Sequence, residues 1–362
     1  MSTSQVSGRP DLVERWAEVA PEDPPPLIVL EPLEGVLDAL GLASGRISAW
    51  PIGDGHSNVT YLVQRGDDRC VLRRPPRGPL PPSAHDVLRE AGLISSLYTA
   101  GARVPEVLGS YADAGLIGAP FFVMAYLDGL ILQSEVPPPL AGPGAGEEIV
   151  AAMVDGLVEL HTVDIEAAGL GTFRRNKGYL RRQMKRFWSL LELNATRPLP
   201  ELERVGHWLD ANLPKTRTET VVHGDYRIGN VMFAPDAVRL MAILDWEMGT
   251  IGDPLADLGY SVAMWSHRGD PPHPIADLTP VTRTVGFPGR EAFAERYAEI
   301  TGISLDGLGW YQAFATWKSA IFLEGSYKRY LAGADTDPYF AGLKEGVLRL
   351  AEYAAAEIRA VG

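Results

Sequence analysis

The chain has 362 residues, 46% of them hydrophobic and 22% charged, a size at which a single core ordinarily gives way to two. Its net charge of -13 excludes wholesale nucleic-acid binding, which needs a dominant basic field, so any anion site must be local. Cys70 is the single cysteine, which rules out an intrachain disulfide, and no apolar run reaches the length of a membrane span.

The first 26 residues are polar, acidic and rich in proline, and read as a mobile leader or a wrapped arm. They carry no apolar core of a secretory signal, so the expectation is a soluble, cytoplasmic protein without membrane association. "EPLEGVLDAL" then shows helical spacing. Two strand-like runs, "VTYLVQ" and "RCVLRR", flank the turn "RGDD" and predict a hairpin. The prolines of "RRPPRGPLPPSAHD" lack amide donors, which makes this stretch a loop into the helix "VLREAGLISSLYTAG". Strand signals return at "EVLGSY" and "FFVMAYL". After the breaker-rich "EVPPPLAGPGAGEE", most of the remainder is helical, apart from two short strand runs around Asp225 and Asp245. The predicted organisation is α+β: a leader over 1–26, a small sheet-rich lobe over 27–127 and a larger, mostly helical lobe over 128–362, with a ligand cleft between the lobes.

"HGDYRIGNVMF" opens at His223 and places Asp225 and Asn230 five positions apart, with Asp245 fifteen positions further on. If the strand runs beside them pair as a hairpin, several carboxylates meet in a partly buried place and repel one another unless a cation intervenes. Oxygen donors without clustered cysteine or histidine favour Mg²⁺ over zinc. Taken singly, an Asp or Asn here is an ordinary turn residue. The spacing of the three also fits the base and metal ligands of phosphoryl transfer.

Together, "HGDYRIGN" and "LDWEMGTIGDPLADLG" resemble the aminoglycoside-phosphotransferase-like kinases, relatives of choline kinase. Most similar is the branch found fused to, or beside, some acyl-CoA dehydrogenases. The resemblance runs from about Ile47 to Tyr330. It implies a protein-kinase-like two-lobed fold with a small antiparallel sheet in the first lobe. It implies that Asp225 is the catalytic base and that Asn230 and Asp245 hold Mg²⁺ bridging the phosphates of ATP. Arg227 is either a contact to the transferring phosphate or a solvated loop arginine. His223 is expected to be structural, Asp253 and Asp257 to brace the catalytic loop, and Glu247, where protein kinases have glycine, to have an open role.

On the nucleotide side, "IGDGHSNVTYLV" resembles the loop over the phosphates, with Gly53, Gly55, Ser57 and Asn58 as its contact residues. Arg73 stands where the family usually has lysine, and Glu90 is its expected partner. In "VMAYLDG", the backbone of Ala125 and Tyr126 is expected to meet adenine.

The acceptor implied is a small-molecule hydroxyl. Residues 174–187, "RRNKGYLRRQMKRF", pack seven cations into an acidic chain, and read either as a solvated helix face or as a surface for an anionic acceptor such as a hydroxyacyl coenzyme A. The aromatics of "WYQAFATWKSAIFLEGSYKRY" read either as an acyl pocket or as helix core. A monomer or homodimer is expected. The alternatives are a nucleotide-binding pseudokinase acting as a regulatory module, or an aminoglycoside phosphotransferase. A protein-substrate kinase is disfavoured, since no activation segment separates "DWE" from "GDPLAD".

Overall fold

The alternating, β-branched runs around residues 59–74 fold as the sequence predicts, and the computed structural model surrounds them with a five-stranded antiparallel sheet. The structure describes residues 11–20, 25–53, 58–78, 85–174, 178–216, 218–333 and 338–361. The predicted phosphate contacts Gly55 and Ser57 therefore lie outside the described residues. The chain divides into two compact units, one running to Thr99 and resuming at Val104–Leu127, the other made of Ala100–Arg103 and the chain from Asp128 onward.

In the first unit, β1 (Leu12–Val13) pairs in parallel with β2 (Ile28–Val29), which leads into α1 (Leu30–Ala39). The sheet follows: β3 (Ile47–Ile52), β4 (Val59–Arg65), β5 (Asp68–Arg74), then α2 (Val87–Thr99), β6 (Val107–Tyr111), the short α3 (Ala114–Ile117) and β7 (Phe121–Ala125), in spatial order β3-β4-β5-β7-β6. Arg65 pairs with Asp68 across the β4–β5 turn, so Gly66, at φ 59, supplies the positive φ that a two-residue hairpin loop demands. Strand β3 went unread in the sequence because it contains Pro51; as an edge strand it tolerates the missing amide. One core joins Leu33 and Leu37 of α1 to Tyr61, Val63, Leu72 and Val123 of the sheet. Of the two readings of the leader, residues 11–20 take the wrapped form. The Trp16 indole donates to the carbonyls of Gly115 and Leu116, and Arg77 pairs with Asp11 at 2.8 Å.

The second unit contains α4 (Ala145–His161), α5 (Tyr179–Asn194), α6 (Pro200–Ala211), then β8 (Thr220–Val222), β9 (Val231–Phe233), β10 (Leu240–Ile243) and β11 (Thr250–Gly252), and finally α7 (Pro254–Ala263), α8 (Arg290–Thr301), α9 (Leu308–Leu331) and α10 (Pro338–Val361). Residues 100–103 belong here because Arg103 donates to the Leu240 carbonyl at 2.6 Å and accepts from the Ile243 amide at 2.7 Å. The strand before His223 does not pair with the strand before Asp245. Instead β8 pairs with β11, and β9 with β10, so two short ribbons carry the motif rather than one hairpin. This interleaving is what sets two loops side by side.

Helix α9 forms the centre of the helical core. Trp310, Phe314 and Trp317 are buried in it, and the indoles of Trp310 and Trp317 donate to carbonyls of Leu209 and Leu202 on α6. These aromatics are therefore core, not an acyl pocket; a buried ring of this size contributes about 3–5 kcal/mol relative to alanine. Helices α7 and α9 approach so closely at Gly259 that a Cβ there would stand 2.5 Å from Tyr311 Cβ. No described helix is long and apolar enough to cross a membrane.

Candidate active site

In the first unit, the predicted charge pair is present and buried. Arg73 on β5 places Nε 3.0 Å from Glu90 Oε1, and a second contact to Oε2 measures 3.2 Å. Glu90 is 2% exposed on the first turn of α2, and Asn58 donates to its Oε2 at 3.2 Å, with the His85 ring 3.0 Å from Asn58 Oδ1. Arg73 also donates to Thr60 Oγ1 at 3.3 Å. Arginine thus keeps the carboxylate partner expected of a lysine there. Glu90→Ala leaves the guanidinium buried without its anion, and stability should fall by about 3–5 kcal/mol. Urea unfolding reads this as a lower midpoint at unchanged slope.

Gly53 ends β3 at φ 81, a turn that an L side chain would strain. The Ala125 amide donates to the Glu106 carbonyl at 2.8 Å, so a base could use that amide only by breaking this bond. The Arg69 guanidinium lies 4.1 Å from the centroid of the Tyr126 ring.

In the second unit, the predicted catalytic motif is a loop gripped from several sides. Val222 ends β8, and the chain turns through Gly224 at φ 86, where a Cβ would stand 2.9 Å from Met248 Cβ. Asp257, on α7 and fully buried, accepts the amides of His223 at 2.6 Å and Gly224 at 2.7 Å. Burial alone would raise its carboxyl; the His161 and His223 rings and the Gly224 amide outweigh that and hold it below the usual carboxylate range. Asp257 therefore braces the loop, as the resemblance implies. Asp253 does not: it caps α7 through the Leu255 amide and accepts the Tyr311 hydroxyl at 2.9 Å.

His223 is structural and its tautomer follows from its partners. Nδ1 accepts the Asp225 amide at 3.2 Å, so Nε2 carries the proton and donates to the Leu244 carbonyl at 2.8 Å. The Leu244 amide in turn donates to the Asn230 carbonyl at 2.8 Å. Both backbone groups of Leu244, the residue before Asp245, are thus tied to the loop that carries His223 and Asn230. Asp245 sits at φ 66, a left-handed conformation that Asp tolerates better than most residues and that re-aims its carboxylate after β10.

The Asn230 amide donates from Nδ2 to Asp225 Oδ2 at 2.7 Å and to the Asp225 carbonyl at 2.9 Å. A carboxylate only accepts, which assigns the amide's orientation and makes Oδ1 the Asn230 atom that could ligate a cation. Asp225 Oδ1 is buried and makes no well-formed hydrogen bond among the described residues; Arg227 Nε stands 3.7 Å from it, and the buried Tyr260 hydroxyl also acts on this carboxylate. Arg227 is 17% exposed at its side chain, so it is not the solvated loop arginine of one reading.

Among the described residues no three His, Cys, Asp or Glu side chains form a metal-holding group. One amide oxygen and one carboxylate, from Asn230 and Asp245, nevertheless fit Mg²⁺, which takes one or two protein oxygens and fills its octahedron with water and phosphate. The oxygen-only donor set, one amide and one carboxylate, fits no soft metal.

One feature escaped the sequence reading. Lys318, in the middle of the aromatic stretch of α9, is 7% exposed and donates to the Gly224 carbonyl at 2.6 Å. No sequence signal separates it from a core-flanking lysine. The basic stretch also proves to be two things. Arg174 is tied to Glu166 and Glu219, whereas the charges of Arg182 and Arg186 on α5 act on buried Tyr179, and that of Arg186 on Lys318.

The class of protein follows from this geometry and from comparison: residues 49–314 match the model of the phosphotransferase enzyme family, and the chain belongs to that family. Acyl-CoA dehydrogenase family member 10 of Mus musculus is 35% identical over 292 residues, which are 80% of this chain and 27% of that protein. Acyl-CoA dehydrogenase family member 11 of Homo sapiens is 32% identical over 283 residues, 77% of this chain and 36% of the relative. The chain thus spans a minor part of these relatives. A solved structure of a candidate aminoglycoside phosphotransferase from Ralstonia eutropha superposes with TM-score 0.74 at 26% identity, covering 91% of this chain and 98% of that one. Choline kinase from Cryptosporidium parvum, at TM-score 0.60 and 9% identity over 91% of this chain and 95% of that one, shares the fold. That fold is the protein-kinase-like α+β fold.

Proposed function

We propose that this chain is a cytoplasmic small-molecule kinase that transfers the γ-phosphoryl group of ATP to a hydroxyl, and that its acceptor is an anionic hydroxyacyl compound such as a coenzyme A thioester. The observation that carries the reading is the Asp225 carboxylate, fixed through Oδ2 by Asn230 and left with a buried Oδ1 that makes no well-formed hydrogen bond among the described residues. A hydroxyl supplies the missing donor. As its oxygen attacks the γ-phosphorus, the bond to the bridging oxygen of ADP breaks and the hydroxyl proton passes to Asp225, which later gives it to solvent. The products are the phosphate ester, ADP and one proton.

Asn230 holds the base in register, a gain of orientation rather than of acidity. Arg227 balances the Asp225 charge before the acceptor arrives and can turn to phosphate oxygens as charge develops there. When bound, Mg²⁺ held by Asn230 and Asp245 neutralises charge on the phosphates. Arg73, held by Glu90, keeps the charge of the lysine that the family usually has there.

Support for an anionic acceptor comes from the cations of α5, Arg181, Arg182, Lys185 and Arg186, a basic surface on an acidic chain that would repel a polycationic aminoglycoside. The acyl-CoA dehydrogenase relatives point the same way. The test is incubation with Mg–ATP and a panel of hydroxyacyl coenzyme A thioesters, free hydroxy acids, aminoglycosides and choline, read as acceptor-dependent ADP release and as a mass gain of one phosphate on the acceptor. Turnover of the anionic members alone is expected. Turnover of an aminoglycoside instead overturns the acceptor; ATP binding with no turnover of any member turns the reading to the regulatory pseudokinase.

A further inference from the structure

Lys318 stands on the buried, aromatic-rich helix α9, next to fully buried Trp317 and two residues before fully buried Ala320. A buried ammonium carries a desolvation cost of several kcal/mol, and Leu or Met would fill the same volume without it. Its charge is therefore spent on particular partners. Nζ donates to the Gly224 carbonyl at 2.6 Å and lies 4.4 Å from the centroid of the Tyr260 ring. Burial pulls its pKa down to about 8 against the upward pull of Asp225 and Asp257, with Arg186 adding to the depression.

The Gly224 amide is meanwhile held by Asp257 Oδ1 at 2.7 Å. The two peptide groups of Gly224 are thus gripped from opposite sides, the one before it by an anion on α7 and the one after it by a cation on α9. That second peptide group is the one that carries the Asp225 amide, so its orientation sets where the Asp225 side chain leaves the backbone. His223 Nδ1 takes the amide itself.

We propose that Lys318 is a positioning residue for phosphoryl transfer: by donating to the Gly224 carbonyl it fixes the peptide from which Asp225 reaches the acceptor hydroxyl. The proposal rests on the kinase reading for its consequence, though not for its geometry. A displacement of about 1 Å at a reacting group costs on the order of 10²-fold in rate. The effect belongs on kcat, since Lys318 itself touches neither reactant.

The experiment uses the full chain and Lys318→Met, which keeps the volume of the stem and removes the ammonium. ADP release from Mg–ATP with water as acceptor is the activity probe, beside hydrogen exchange of the segment 223–230 without nucleotide. We expect kcat to fall about 10- to 10²-fold with the KM for ATP within about twofold, the thermal midpoint held, and the 223–226 amides exchanging about tenfold faster or more. In an active wild-type chain, an unchanged kcat overturns the proposal, and so does a loss shared equally by KM and thermal midpoint, which marks general unfolding. Unchanged exchange overturns it whether or not the wild type turns over. A wild-type chain that neither binds ATP nor releases ADP defeats the kinase reading instead, and exchange alone then decides on Lys318.

Discussion

Asp225→Asn should slow phosphoryl transfer by about 10²- to 10⁴-fold while leaving ATP binding in place. The amide has the size and shape of the carboxylate, so the loop from His223 to Asn230 keeps its backbone. Two things change. The side chain can no longer accept the hydroxyl proton, and the contact from Asn230 Nδ2, now 2.7 Å from a carboxylate oxygen, meets an amide that must turn its own oxygen inward to receive it. With the oxygen so committed, the buried position of Oδ1 is filled by NH₂, a donor where the acceptor hydroxyl needs an acceptor. Single-turnover kinetics with saturating Mg–ATP separate this from a binding effect. A rate within threefold of wild type would remove Asp225 from the mechanism.

The second large effect concerns stability. Asp257→Asn keeps the volume of the buried side chain but puts at most one acceptor oxygen opposite the amides of His223 and Gly224 and the His161 ring. At least one backbone donor is then left buried without a partner, and the charge that stabilised the others is gone. The expected loss is about 3–5 kcal/mol, the range for breaking a buried charged network. For a unit of this size that corresponds to a fall in thermal midpoint of roughly 6–20 °C, readable by circular dichroism. The companion change Asp253→Asn should cost less, because Asp253 caps one helix and meets one hydroxyl. If the two variants melt together at the wild-type temperature, the loop is not braced from α7.

How far these sites could be read from the chain depends on how far apart in sequence their parts lie. Asp225 and Asn230 are five residues apart, and their hydrogen bond is a property of one turn. The Arg73–Glu90 pair joins a strand to the next helix across a proline-rich loop, and it was legible through the family resemblance rather than through local pattern. Periodicity likewise sufficed for β4, β5, α2 and α4. Pro51 hid β3, since edge strands obey rules that local pattern does not reveal.

What the sequence by itself determined is the chemistry available: an acid, an amide and a second acid at short, local spacing, a strand arginine, and a net charge that confines anion binding to patches. Only the tertiary structure decided how these groups are held. Which strand pairs with which, β8 with β11 rather than with β10, depends on competing partners of similar pattern. The grip on Gly224 by Asp257 and Lys318 comes from two helices, and Lys318 lies 94 residues from its acceptor. A lysine in an aromatic helix has the same letters around it whether it faces solvent or a carbonyl. Its meaning is set by the close packing of α7 on α9, and side-chain volumes across that contact, not helical periodicity, fix the register.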